Sequence, residues 1–590
     1  MTTKIVKIYV RDRTYNTWSF AHNDTNTPIT VDECPILKTI QPAEQKIFSR
    51  DVFEVSDTDI NGEPTIRKIH SYVRNFQSIA GILVLENNKT FGRTTNKKRL
   101  LYKCIPDDKY LPVFLIPYEV KTGFSKVQKN KYVVFRFDNW DDKHPHGIIT
   151  ETIGDVDVLE HFYEYQLYSK SLHISITEFT NKARSVLNKK STDEFVQQIM
   201  QNPNNVIEDR RDKYVFTIDP LNSLDYDDGF GIEAVGDNWR VSIYIANVFL
   251  WLEALGLWNS FSQRVATIYL PDRRRPMLPT VLSDALCSLQ QNKPRFALAM
   301  DIMIDSCGNL LSDNPISYAS VLINVTKNYV YEDSKMITND VAYQRLFDVS
   351  YLMDNSIRNS HDIVAHWMVH MNLFTGSYMS SNKIGIFRSV VYIDSILNEN
   401  INGMSDDTLR VIRGWNNTSS HYIPYTEEVT IEHQLISSKM FNGESNVYIH
   451  ITSPIRRLVD LLNQTLILKN RGLVKNITVD AVKFIEKWMN ELDYINTSMR
   501  LIRKIQTECE LLNRVYNQPN LLDSEHDGVV FDKIMKSDGS INYMIYLEKI
   551  KLLSRINTHC NMPNFTNCQC RIYLFEDEDK VKKKIRVQII

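Results

Sequence analysis

Residues Lys213–Ala234 read KYVFTIDPLNSLDYDDGFGIEA: an apolar run meets Asp219 and Pro220, and Asp225, Asp227 and Asp228 follow, so four carboxylates fall within ten residues. Pro220 has no N–H to give to a central ladder. The strand is therefore expected to stop at Asp219, and the next to begin near Phe230, after the permissive Gly229. On that reading the aspartates share one loop. Massed carboxylates repel one another unless a cation neutralises them, and hard oxygen ligands select magnesium or manganese. Two such ions, about 3.5–4 Å apart, can activate a water and stabilise the leaving oxygen of a phosphodiester. A solvated acidic turn is the plainer alternative for an isolated DxDD run. An EF-hand calcium loop fails, because Gly229 stands where a third oxygen ligand is needed.

A basic counterpart lies far downstream in VYIHITSPIRRLVDLLNQ, Val447–Gln464. Pro454 followed by a helical pattern from Ile455 is expected to place Arg456 and Arg457 in a first helical turn. Guanidinium groups there could grip phosphate oxygens, with helix N-terminal N–H groups pointing the same way. In isolation, a salt-bridged helix start explains the pair equally well.

The totals frame these motifs. At 590 residues the chain suits several units, one of them large, and 43% hydrophobic with 24% charged residues is globular composition. The formal net charge is -2, so any polyanion site must come from uneven charge distribution. Eight scattered cysteines and a start, MTTKIVKIYVRD, without an apolar signal core fit a reducing, cytoplasmic setting. No apolar run long enough for a membrane helix occurs. Cys560, Cys568 and Cys570 cluster, but their spacing matches no zinc pattern.

Along the chain, residues 1–80 are weakly patterned and carry an Asn-Gly turn signal in TDINGEP, Thr58–Pro64; a first OB-like barrel would fit there. Residues 81–158 show short β-type runs with interleaved basic and aromatic residues (NKKRLLYK, KNKYVVFRFDNW), as in a small barrel that binds single strands. A solvated charged face over an ordinary barrel is the alternative. Residues 159–210 read as a helical connector and 211–517 as a large α+β domain. Residues 518–590 read as a second small barrel.

Together TIDPLNSLDYDD (Thr217–Asp228) and HITSPIRRLVD (His450–Asp460) resemble the two signature segments of the RNase II family. YLPDRRRPMLPTVLSDALCSLQ (Tyr269–Gln290) lies between them in the family's order. The resemblance covers about 211–470. It implies a multidomain α+β architecture, in which an RNB-type catalytic domain is flanked by OB-fold barrels. It also implies a magnesium-dependent (manganese as the other candidate) hydrolytic exoribonuclease, which releases 5′-nucleoside monophosphates from the 3′ end of single-stranded RNA.

By the same resemblance Asp219, Asp225, Asp227 and Asp228 hold metal and position or activate water, with Asp225 and Asp227 counted catalytic, and Arg456 stabilises the scissile phosphate. Tyr331 resembles the aromatic that stacks on the terminal base, and His450, Ser453 and Arg457 match RNA-contacting or supporting positions. The implied partners are single-stranded RNA and a larger RNA-processing complex, with no membrane.

The chain departs from the family pattern at Tyr244-Ile245-Ala246-Asn247-Val248, where HIADV is usual, and at Asn463 and Gln464, where ionisable groups are usual. Those losses keep a rival open, a catalytically weak RNA-binding scaffold of the same fold. A polymerase-like or DNA-directed nuclease site is a further alternative, in which TSPIRR has no role.

Overall fold

The computed structural model describes residues 3–56, 65–76, 78–94, 98–120, 128–311, 313, 315–390, 404–415, 421–427, 447–536, 538–576 and 583–590. The expected turn at Thr58–Pro64 lies outside them.

The centre is a seven-stranded mixed sheet of β1 (Ile207–Arg210), β2 (Phe216–Asp219), β3 (Asp228–Val235), β4 (Asn238–Ala246), β5 (Pro294–Ile304), β6 (Ile316–Asn324) and β7 (Lys327–Val330). Their order across the sheet is β1-β6-β5-β4-β3-β2-β7. The two outer pairs, β1–β6 and β2–β7, run parallel, and the pairs between them run antiparallel. β5 reads PRFALAMDIMI, an almost unbroken apolar run, as a central strand covered on both faces requires. Its one acid, Asp301, is buried and fully engaged: Arg210 donates to both carboxylate oxygens at 3.0 and 2.9 Å, and Ser242 Oγ donates at 2.6 Å.

Three helices, α1 (Leu159–Ser169), α2 (Thr177–Leu187) and α3 (Thr192–Gln201), lead into the sheet. Ser191 and Glu194 form a reciprocal capping box that starts α3. These helices bury Phe162, Tyr165, Phe179 and Phe195 in the same core as β4 and β5. Each such side chain contributes about 2 kcal/mol by leaving water. After β4 comes α4 (Val248–Leu255), which is apolar almost all round and buried, and which ends on Gly256 at φ 62°. That left-handed cap costs glycine no Cβ clash. Three further helices matter to the site: α5 (Ser360–Ser381), α6 (Leu458–Asn470) and α7 (Leu492–Asn517).

Three five-stranded sheets flank this body, built from residues 3–70, 79–155 and 525–589. In the second, a bridge between Leu115 and His146 joins the two edge strands and closes the sheet into a barrel. The overall class is multidomain α+β with OB-type barrels, as the sequence implies. Among the described residues no helix is long and apolar enough to cross a membrane.

Two local expectations are corrected. The second strand begins at Asp228, which pairs with Ile245, and not near Phe230. Asp228 is therefore a sheet residue, while Asp225 and Asp227 lie on the loop; Gly229 is simply extended within β3, where a flat ladder accepts it. The helix after Pro454 begins at Leu458, with Arg457 as its N-cap, so Arg456 and Arg457 occupy the turn before the helix. That turn closes through Arg456 and Arg457 N–H groups, which both donate to Ser453 O, at 3.2 and 2.9 Å. Asp460 Oδ1 takes the Ser453 N–H at 2.8 Å and so ties the turn to the helix that follows it.

Candidate active site on the acidic loop

The loop from Pro220 to Asp227 is pinned on both sides. Ser288 Oγ accepts from Tyr226 N at 3.0 Å and donates to Leu224 O at 2.8 Å, and Ala246 N donates to Asp227 O at 2.8 Å. At its tip Asn222 takes φ 67°, a conformation that Asn tolerates better than most residues. This pinning brings Asp219, at the end of β2, beside Asp228, at the start of β3, with the buried Asp227 next to them.

Burial raises the Asp219 carboxyl well above the usual range, and repulsion from Asp228 adds to it. Burial likewise raises Asp228, and it pushes Asp227 up to about 8 while Arg456 pulls the other way. Asp219 Oδ2 is buried and has no hydrogen-bond partner. A set of carboxylates this poorly neutralised calls for positive charge.

Some of that charge is already present. Arg456 Nε lies 3.1 Å from Asp227 Oδ2, close enough for strong attraction though not aligned as a hydrogen bond, and Ile455 N donates to Asp227 Oδ1 at 2.9 Å. Arg456 nonetheless keeps 46% of its side-chain surface exposed, enough to meet a ligand. The expected partnership of the DxDD loop with TSPIRR is thus a direct contact. Arg457 turns away: it donates to Asp460 Oδ1 at 2.8 Å and is part of the helix start. Ser453 Oγ accepts from Arg456 Nη2 at 3.0 Å and so orients the guanidinium. His450 Nδ1 lies 2.7 Å from the Tyr422 hydroxyl.

Tyr331 reaches the site from β7's end. Its N–H donates to Asp219 O at 3.1 Å, and its ring stacks on His361 of α5, with centroids 3.6 Å apart and planes 6° apart. The face offered for stacking is thus shared with an imidazole.

Two residues were missed by sequence reasoning. A short hairpin pairs Ile268–Tyr269 with Arg274–Arg275, and Tyr269 and Arg274 are cross-strand partners that both turn onto Asp225. The Tyr269 hydroxyl donates to Asp225 Oδ2 at 3.1 Å, and Arg274 Nη1 lies 2.9 Å from Asp225 Oδ1. The hairpin is tied to the arginine turn, since Thr267 N donates to Arg456 O and Leu458 N to Val265 O, each at 2.9 Å. The only signal in the sequence was the run of arginines inside YLPDRRRP.

The family-pattern departures have structural uses. Asn247 caps α4 by accepting from Leu250 N at 3.2 Å. Gln464 accepts from Val248 N and donates to Ala246 O, and Asn463 brackets Ile386 through its N–H and C=O. Tyr244 is a buried core residue.

The RNB domain model matches residues 207–363, which holds the acidic loop, the Tyr269–Arg274 hairpin and Tyr331. The chain is 27% identical over 237 residues to "Probable exosome complex exonuclease RRP44" of Caenorhabditis elegans, covering 39% of this chain and 24% of that protein. It covers between 24% and 54% of the length of the first curated relatives it matches. Mycoplasma genitalium RNase R, solved with ribose-methylated single-stranded RNA, superposes with a TM-score of 0.67 at 15% identity and full coverage of both chains. Yeast Ssd1, described as a pseudonuclease, superposes with a TM-score of 0.58 at 12% identity, covering 96% of this chain and 80% of that one. Residues 207–363 thus match the RNB domain model, and in fold the chain is similar to RNase R.

Proposed function

We propose that the chain is a divalent-metal-dependent exoribonuclease that hydrolyses single-stranded RNA from its 3′ end and releases 5′-nucleoside monophosphates. The observation that carries this reading is the buried Asp227 and Asp228, with the half-buried Asp219 beside them and Arg456 set against Asp227, inside an RNB domain. The family relatives are named as exonucleases and ribonucleases, which agrees with it.

The residues fit a hard cation. Asp219 offers an unpartnered buried oxygen, and burial together with mutual repulsion leaves the carboxylates short of positive charge. Among the described residues no three acidic, histidine or cysteine side chains are gathered closely enough to hold a metal as they stand. Asp225 and Asp227 would therefore have to loosen from Arg274 and Arg456 to join Asp219 and Asp228. Magnesium or manganese held there would polarise the phosphate and lower the pKa of attacking water. Arg456 would offset charge developing on phosphorus, Ser453 would hold Arg456 in line, and the Tyr331 and Tyr269 rings would position the terminal nucleotide. The barrels would gather the strand upstream by stacking and phosphate contacts. Assembly into a larger RNA-processing complex is proposed on the same resemblance.

The test is a time course on 5′-labelled single-stranded RNA with magnesium or chelator, beside the same sequence as DNA. A ladder shortening from the 3′ end, on RNA only and with metal only, is expected; binding without shortening would sink the reading. One observation favours the scaffold alternative, since two of the four aspartates are already paired with guanidinium groups.

A further inference from the structure

The arginine run at 273–275 does more than reach the acidic loop. It forms one wall of a cavity of about 370 Å³, between the Ser169–Thr177 connection and the Tyr269–Arg274 hairpin. The charged residues lining it are Glu164, His173, Arg264, Arg273, Arg274 and Arg275, so four guanidinium groups meet one carboxylate. The rest of the wall is largely aliphatic.

Glu164 is held like a bound anion. Arg275 Nη2 approaches it at 2.7 Å, Arg273 Nη2 at 3.2 Å and His173 Nε2 at 3.4 Å. Arg275 and Arg274 also have carboxylate partners outside the lining, Asp272 for the first and Asp225 and Asp284 for the second. Arg264 differs: its guanidinium donates only to the neutral carbonyls of Pro276 and Ile174, and among the described residues no carboxylate lies within ion-pair distance of it. The Nε groups of Arg264 and of Arg275 are buried without a hydrogen-bond partner, and Arg275 is 6% exposed. Arg264 therefore brings to the cavity wall a guanidinium charge that no carboxylate offsets. Arg273, with 67% of its side chain exposed, holds Glu164 and Asp272 only from the surface, so an incoming anion can compete for it.

We propose that this cavity binds a phosphate monoester, the 5′-phosphate of a nucleoside monophosphate, on Arg264, Arg273 and Arg275, with the nucleoside against the aliphatic wall. The three terminal oxygens of a dianionic monoester match forked donors better than one carboxylate does. The volume suits a single nucleotide and not a strand. Arg274 joins the cavity to Asp225, so the pocket adjoins the place where such a product would be released. That the ligand is the enzyme's own product rests on the hydrolytic reading above; the anion site does not.

The experiment is calorimetric titration of the full chain in chelator, with 5′-AMP, inorganic phosphate, adenosine and a 5′-hydroxyl oligoribonucleotide. Binding of 5′-AMP is expected, with weaker binding of phosphate, none of adenosine, and no displacement of 5′-AMP by the oligonucleotide. Arg273→Ala, at an exposed side chain, should weaken 5′-AMP about tenfold, as loss of one charge-assisted contact does. Glu164→Gln, which removes the competing carboxylate, should tighten it.

Adenosine binding as well as 5′-AMP would overturn the proposal. So would affinity that falls in Arg456→Ala and is unchanged in Arg273→Ala, because the ligand would then sit on the acidic loop, and the proposed activity would stand. If 5′-AMP binds as expected while RNA is never shortened, the anion site stands and only the product assignment falls.

Discussion

Arg274 and Asp225 form an ion pair across the mouth of the acidic loop, Nη1 to Oδ1 at 2.9 Å, and Arg274 also pairs with Asp284. The guanidinium occupies one of the carboxylates that the proposed activity assigns to metal. Arg274→Gln should therefore lower the magnesium concentration needed for half-maximal RNA hydrolysis. A gain on the order of tenfold corresponds to about 1.4 kcal/mol, the scale of one partly screened charge contact. A magnesium titration of wild type and variant decides it; an unchanged midpoint would mean that Asp225 takes no part in holding metal.

Asp227 is the most deeply buried of the four acids, with Ile455 N donating to one oxygen and Arg456 facing the other. Asparagine can keep the hydrogen bond from Ile455 through its amide oxygen but cannot supply the charge. Asp227→Asn should abolish hydrolysis, by about a thousandfold or more on the scale of lost catalytic electrostatics, while RNA affinity changes little. Filter binding beside a cleavage time course measures both. Loss of the two together would make the loop a structural element.

The acidic loop was legible because its signal is local. Pro220 stops β2, and four acids in one short stretch have few uses. The contact of Arg456 with Asp227 was legible only as a resemblance between distant motifs. Tyr269 and Arg274 were not legible as site residues, since a two-residue hairpin has no periodicity to reveal it, and which side chains turn onto Asp225 depends on the cross-strand register. The helix start was placed three residues early, because Asp460 and Ser453 close a turn before α6 that mimics a helical one. The barrels were readable in outline from alternating runs, whereas the closing bridge between Leu115 and His146 depends on tertiary pairing alone.

Asn247 reads in the sequence as a lost ionisable group, but it is fully buried and serves as the N-cap of α4, with its amide 3.4 Å from Ser320 Oγ. Restoring the acid tests which description matters. Asn247→Asp keeps the cap acceptor but gives up the amide donor and places a charge where nothing cationic is paired with it. Stability should fall by about 1–3 kcal/mol. Chemical denaturation reads this directly. A variant as stable as wild type and more active would show instead that the position belongs to the catalytic machinery.

His366 and His370 pack one turn apart on α5, with ring centroids 4.1 Å apart and planes tilted by 41°, and both are buried. Burial, reinforced by His370, lowers the His366 pKa to about 3, with Asp354 opposing; burial also lowers His370. Neither ring nitrogen of His366 has a hydrogen-bond partner, which is consistent with a neutral ring. In the unfolded chain the same imidazole titrates near 6.5, so below that pH the unfolded state binds a proton that the folded state refuses. Its contribution to stability is therefore intact above about pH 6.5 and is lost progressively as pH falls from there toward the folded value. Between pH 7.5 and 5.5 the loss from one such group is about 1 kcal/mol. His366→Leu removes the titration and should flatten the curve by that amount relative to wild type, in thermal melts run at both pH values in chelator. Parallel curves would mean that His366 accepts its proton in the folded protein.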